Sequence, residues 1–163
     1  MEKYHMRRRE KTIRSRKQMM DIIGGQAHMT IAMSKDNEPY LVTVNYSFDQ
    51  EAMCLYFHSA QAGRKIDCLR SNPIVWGQVL EDKGYVQGEC DYAYRTVMFS
   101  GRAESVTDLR EKRRALGMMI DRLDSDPGST SRKFMVKSAL EGVAVWKIKI
   151  EGMSGKESLP PKV

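Results

Sequence analysis

Alternation of apolar and polar positions runs through most of the chain. Ala27, Met29, Ile31 and Met33 share one side of a run whose other side carries His28, Thr30, Ala32 and Ser34. A period of two is the mark of a half-buried strand, so 27–33 is predicted as one. Lys35-Asp36-Asn37-Glu38-Pro39 has turn chemistry. Tyr40, Val42, Val44, Tyr46 and Phe48 then alternate with Leu41, Thr43, Asn45 and Ser47, giving a second strand with one apolar and one more polar face. Asp49-Gln50-Glu51 is a tight connection into a third strand at 53–58, which is short, apolar and aromatic. Further strands are predicted at 74–80, at 94–106, where Val97, Phe99, Gly101 and Ala103 face one way, and at 143–150.

Helical spacing interrupts this pattern in four places. Met19, Ile22 and Ile23 mark a short helix ended by Gly24-Gly25. Ile66 and Leu69 mark a second, beginning near Ala62 and stopped by Pro73. A longer helix is predicted over 108–123, with Thr107 as its cap and Leu109, Leu116, Met119 and Ile120 as its apolar stripe. A short one follows at 133–140. The segment 81–91 reads as loop-like with room for weak strand, 124–131 as a loop, 1–14 as an exposed basic arm and 152–163 as a loose tail. Short connections between successive strands imply antiparallel pairing. The fold class expected is mainly β with helices, a six-stranded antiparallel barrel in a single domain over 1–163. Apolar residues occur on both strand faces, so the outer wall is expected to pack against something, such as a second subunit.

Composition adds little beyond exclusions. The chain has 163 residues, 41% hydrophobic and 29% charged, which suits one ordinary globular domain. No apolar run is long enough to span a bilayer, and no secretory signal is visible, so no membrane partner is expected. Cys54, Cys68 and Cys90 are sparse and form no C-x-x-C pair, which suits a reducing cytoplasm and no metal site. The net charge of +6 comes partly from Arg7-Arg8-Arg9, Lys11, Arg14, Arg16 and Lys17. No aromatic interleaving or DNA-binding motif accompanies them, so they read as a solvated face and nucleic acid is not the expected partner.

The segment Tyr56-Phe57-His58-Ser59-Ala60-Gln61-Ala62-Gly63-Arg64-Lys65 carries the most chemistry. A strand runs into a turn that opens a helix, with Arg64 and Lys65 in the first turn. Two cations there oppose the helix dipole by roughly 0.3–1 kcal/mol each. A bound anion reverses that sign, because free backbone N–H groups and both cations then point at it. Solvated surface residues are the alternative reading. His58 reads either as a proton donor at the strand end or as a side chain satisfied by backbone. His28 reads as structural and His5 as solvent-exposed.

The same blocks, in this order and spacing, resemble the FMN-binding split-barrel proteins of the pyridoxamine 5′-phosphate oxidase-like group, and most of all their nitroimidazole-resistance branch. The resemblance rests on Met6-Arg7-Arg8-Arg9-Glu10, on 38–46, on Tyr56-Phe57-His58-Ser59-Ala60 with Gly63-Arg64-Lys65, on 94–104, and on Met153-Ser154-Gly155-Lys156. It implies a homodimer with FMN at the subunit interface. Arg64 and Lys65 would hold the phosphate, with His58 and Ser59 beside the ribityl chain. Thr43, Val44, Asn45 and Tyr46 would run along the ring edge, partly through backbone groups. Thr96 would contact the cofactor, Trp146 would reach the flavin of the other subunit, and His58 would be the catalytic residue. The implied activity is FMN-dependent oxidoreduction between a small-molecule electron donor and acceptor, nitroaromatics among the acceptors. Relatives that use F420 or haem, and non-catalytic flavin-binding modules, are the alternatives. Two departures matter. Thr43 stands where many of these relatives have Pro, and the segment after Ile150 lacks the basic residues that grip pyridoxamine 5′-phosphate, so that substrate is not expected.

Overall fold

A computed structural model describes residues 7–160. A 3-10 turn at Arg9–Lys11 leads into β1 (Thr12–Ile13) and α1 (Arg16–Gly25). Then come β2 (His28–Lys35), β3 (Glu38–Asn45), β4 (Ser47–Asp49), β5 (Cys54–Ser59) and α2 (Arg64–Ser71). The chain continues with β6 (Ile74–Val86), β7 (Asp91–Val106), α3 (Leu109–Leu123), α4 (Pro127–Phe134), α5 (Lys137–Gly142) and β8 (Ala144–Ser158). All strand pairs are antiparallel, in the order β3-β2-β6-β7-β8-β5-β4, with β1 added on β8.

The predicted alternation is what builds the core. Met29, Ile31 and Met33 from β2, Val75 and Val79 from β6, Val97, Phe99 and Ala103 from β7, and Leu55 and Phe57 from β5 all point into one cluster. Ile22 and Ile23 of α1, and Ile66 and Leu69 of α2, join the same cluster. A smaller cluster lies under α3, where Ala115 meets Cys54, Tyr56, Val106 and Val145. Cys54 and Cys68 are buried free thiols, and Cys90 is exposed. Among the described residues no helix is long and apolar enough to cross a membrane.

The structure corrects several expectations. The sheet has eight strands, not six, and its hydrogen-bonded path is open between β3 and β4. The run 40–48 divides at Tyr46, so its two halves pair on different edges, β3 with β2 and β4 with β5. The loop expected at 81–91 is instead the β6–β7 hairpin, which slips register between Asp82 and Tyr85 where Gly84 adopts φ +87°. The expected loose tail is strand as far as Ser158: Gly152 to Ser158 pair with Ser100 to Tyr94 of β7. Its glycines suggested disorder, yet Gly155 is where α1 and β1 close in. A Cβ there would sit 2.8 Å from Ile13 Cβ and 2.9 Å from Met19 Cγ.

The basic arm is also partly docked. Ile13 is buried and Lys11 Nζ donates to Ser158 Oγ at 2.6 Å. The readings of His5 and Met6, and of 161–163, lie outside the described residues. Asp108 rather than Thr107 caps α3, its carboxylate accepting from Glu111 N–H at 2.8 Å. The segments 124–131 and 133–140 resolve into α4, capped by Asp126 with Pro127 in its first turn, and α5.

Candidate functional site

β5 ends at Ser59, and residues 60–63 turn the chain into α2. Gly63 makes that turn at φ +127°, a backbone state that side chains rarely allow. Its carbonyl accepts from Ile66 N–H at 2.8 Å and Asp67 N–H at 3.1 Å, which starts the helix. No side chain caps this end. The first-turn N–H groups of Arg64 and Lys65 are therefore left to solvent or a ligand.

Lys65 is half-buried, with Nζ 5.7 Å from the Phe57 ring centroid. It has no carboxylate partner among the described residues. Burial lowers its pKa from the usual lysine value. His58 is exposed at the end of β5, and its pKa is lowered from the ordinary histidine value, first by partial desolvation and then by the Lys65 charge. Ser59 turns its hydroxyl to the carbonyl of Ala60, 2.9 Å away.

Arg64 faces the other way. Its Nη2 donates to Glu38 Oε2 at 3.0 Å, and its guanidinium lies 4.9 Å from the Tyr40 ring centroid. Both partners of the ion pair are mostly exposed, so the pair is worth no more than about 1 kcal/mol. A phosphate offers Arg64 a bidentate contact that competes with this. The hollow beside Arg64, about 320 Å³, is lined by Lys35, Asp36, Glu38, Asp67 and Cys68 as well. Its three carboxylates disfavour an anion, so the electropositive side of the corner is the side of Lys65.

The other predicted site residues divide by strand face. β3 is an edge strand, so alternate backbone groups are free of pairing. Thr43 and Asn45 point outward and are exposed. Thr43 Oγ1 lies 3.1 Å from Thr30 Oγ1, and Asn45 Nδ2 donates to Ala27 O at 3.4 Å. Val44 and Tyr46 point into the core. Tyr46 donates its hydroxyl to the Ile23 carbonyl, and burial pushes its pKa up to about 12. These two residues have only backbone groups to offer a ligand. Thr96 is buried on β7, accepting from Gln78 Nε2 at 3.1 Å and donating to Val79 O at 3.0 Å.

Trp146, on β8, sits in the main core, 6% exposed, and its indole N–H has no partner among the described residues.

Two groupings result. His58, Ser59, Arg64 and Lys65 form the β5–α2 corner. Thr43 and Thr96 belong to a polar row on the outer face, linked through Thr30 and Gln78, which are register partners on β2 and β6. Around that row lie exposed Leu41, Trp76, Leu80 and Met98. Gln78 and Thr30 were not singled out from the sequence, although a lone Gln on the side of β6 that carries Trp76 and Leu80 is a visible signal. Glu38 and Tyr40 were also missed as partners of Arg64, and no local pattern announces a contact across 26 positions.

A family model described as pyridoxamine 5′-phosphate oxidase matches residues 15–157. A candidate 5-nitroimidazole antibiotic resistance protein from Bacteroides thetaiotaomicron is similar in structure, 27% identical with a TM-score of 0.76, over 90% of this chain and 86% of that one. A FAD-binding protein from Mesorhizobium loti is 26% identical with a TM-score of 0.64, over 90% of this chain and 96% of that one. The flavocytochrome Anf3 from Azotobacter vinelandii, at 21% identity, shares the fold with a TM-score of 0.82 over 98% of this chain and 75% of that one. A comparison with curated proteins gave no match.

Proposed function

The chain belongs to the pyridoxamine 5′-phosphate oxidase family, and on that premise we propose that it is a flavin-dependent oxidoreductase holding FMN at the β5–α2 corner. One observation carries the reading. Lys65 is a half-buried ammonium without a carboxylate partner among the described residues, beside the uncapped start of α2. A terminal phosphate would satisfy the free N–H groups and the cation together. Arg64, released from Glu38, would add a second charge-assisted contact. The M. loti protein is named for FAD, and FMN is favoured here because its terminal monoester phosphate concentrates its charge on one phosphorus, whereas the linkage of FAD spreads a similar charge over two.

Thr43 and Asn45, with the free backbone edge of β3, would hold the ring system, and Thr96 with Gln78 would border it. The flavin, when bound, supplies hydride or electron transfer. His58, at the end of β5 beside the corner, would hold or pass a proton at its imidazole. The acceptors proposed are small molecules, nitroaromatics among them, reduced at the expense of a small-molecule donor in the cytoplasm. The apolar outer face at Leu41, Ile74, Trp76, Leu80 and Met98 supports a homodimer that excludes water from the ring site.

The test is the chromophore itself. Purified protein is denatured, and the released chromophore is identified by chromatography and mass. FMN is the expected result. A haem or F420 chromophore would contradict the proposal, as would a colourless protein that takes up no added FMN. Flavin retained without turnover of NAD(P)H and any nitroaromatic acceptor would make the protein a binding module instead of an enzyme.

A further inference from the structure

The connection at 60–63 carries the proposed phosphate corner, yet it is a loop, and a phosphate cradle needs fixed backbone geometry. Its side-chain tie to another element comes from Gln61, whose Nε2 donates to the carbonyl of Glu141 at 2.9 Å. Glu141 lies in the last turn of α5, where carbonyls have no partner inside the helix. The neighbouring carbonyls are also taken. Lys112 of α3 reaches across with Nζ 3.2 Å from Leu140 O and 2.9 Å from Val143 O. Leu140 itself is 1% exposed, so this helix end is anchored in the protein. Two residues further on, Ala144 pairs with Ser59, the last rung before the connection begins.

The carbonyl end of α5 is thus a junction. One side chain from α3 fixes it, one from the corner grips it, and the β8–β5 ladder leaves from it. We propose that this junction positions the phosphate corner, with Gln61 and Lys112 as positioning residues that act through α5 without touching the phosphate. The inference rests on the flavin reading for its consequence, but its mechanical content does not need flavin. Lys112 serves here as a hydrogen-bond donor to carbonyls, a task that an arginine can also perform.

The test uses Gln61→Met, Lys112→Met and Lys112→Arg in the full-length chain, with two readouts. The first is amide hydrogen exchange over residues 60–66 in flavin-free protein. The second is FMN affinity by quenching of flavin fluorescence. Exchange should speed up in both Met variants and return to the wild-type rate in Lys112→Arg. FMN Kd should rise about fivefold in Gln61→Met and about tenfold in Lys112→Met, the usual scale for losing a neutral and a charged hydrogen bond. Gln61 is exposed, so its variant is expected to fold, and its neutrality separates positioning from loss of charge.

Unchanged exchange in both Met variants would overturn the proposal. Faster exchange with unchanged FMN affinity would overturn it as well, because the loosened loop would then not be what holds the cofactor. Failure of the wild-type chain to bind FMN would instead strike the flavin reading, and the exchange result would still decide whether α5 orders the corner.

Discussion

The Lys65 ammonium lies near enough to His58 to act on its charge. His58 is held below the ordinary histidine value of about 6.5 by partial desolvation and by the Lys65 charge. The unfolded chain therefore binds the proton more readily than the folded one. Stability from this group is complete above the ordinary value and is lost as pH falls from there through the lowered one. The stability–pH slope in that window should flatten in His58→Gln, measured by urea unfolding at stepped pH. An NMR titration of the wild-type protein should place His58 below the ordinary histidine value. FMN should move it upward, since a phosphate offsets the Lys65 charge that depresses it. A His58 that titrates at the ordinary value and ignores FMN would remove both the desolvation and the neighbouring cation from the account.

The closing strand shows what an element contributes beyond its side chains. Removing 151–163 should do more than trim a tail, because it strips the partners of Tyr94 to Ser100 on β7 and of Thr12 and Ile13 on β1. The truncated chain is expected to lose cooperative unfolding in a calorimeter. A milder probe is Gly155→Ala, whose added methyl would crowd Ile13 and Met19. Overpacking of this kind costs about 1–3 kcal/mol. A truncated chain that melted like the full one would mean that β8 ends functionally at Ile150. The same strand marks where sequence patterning is informative and where it stops. Strands with one buried face, such as Val97, Phe99, Gly101 and Ala103, repeat the core at every second position and are legible. The second halves of β6 and β8 are mostly polar and glycine-bearing, so their pairing is set by neighbours that the local pattern does not contain. The site divides in the same way. The corner from His58 to Lys65 is local, so its succession of strand, turn and helix was legible, whereas Arg64 with Glu38, Gln61 with Glu141 and Gln78 with Thr96 join distant segments.

On the scale of the whole molecule, the outer face of the sheet has too much apolar surface to be left to water. Leu41 is 64% exposed, Trp76 49% and Leu80 48%, on the two strands β3 and β6 around the Thr30–Gln78 row. A second copy covering this face would bury that surface and wall the ring site at once. Trp76→Lys with Leu80→Lys should give a monomer by sedimentation velocity, with FMN retention lost alongside. A wild-type monomer that keeps its FMN would separate the cofactor from the interface. The central claim is narrower: an anionic phosphate is what the β5–α2 corner recognises. Its most direct test is a fluorescence titration of the flavin-free protein with FMN and with riboflavin, which lacks the phosphate, repeated on Arg64→Ala/Lys65→Ala. The wild-type chain should prefer FMN by at least about a hundredfold, the scale of two charge-assisted contacts, and the double variant should bind both flavins equally weakly. Equal affinity of the wild-type chain for FMN and riboflavin, or an undiminished preference for FMN in the double variant, would contradict the account.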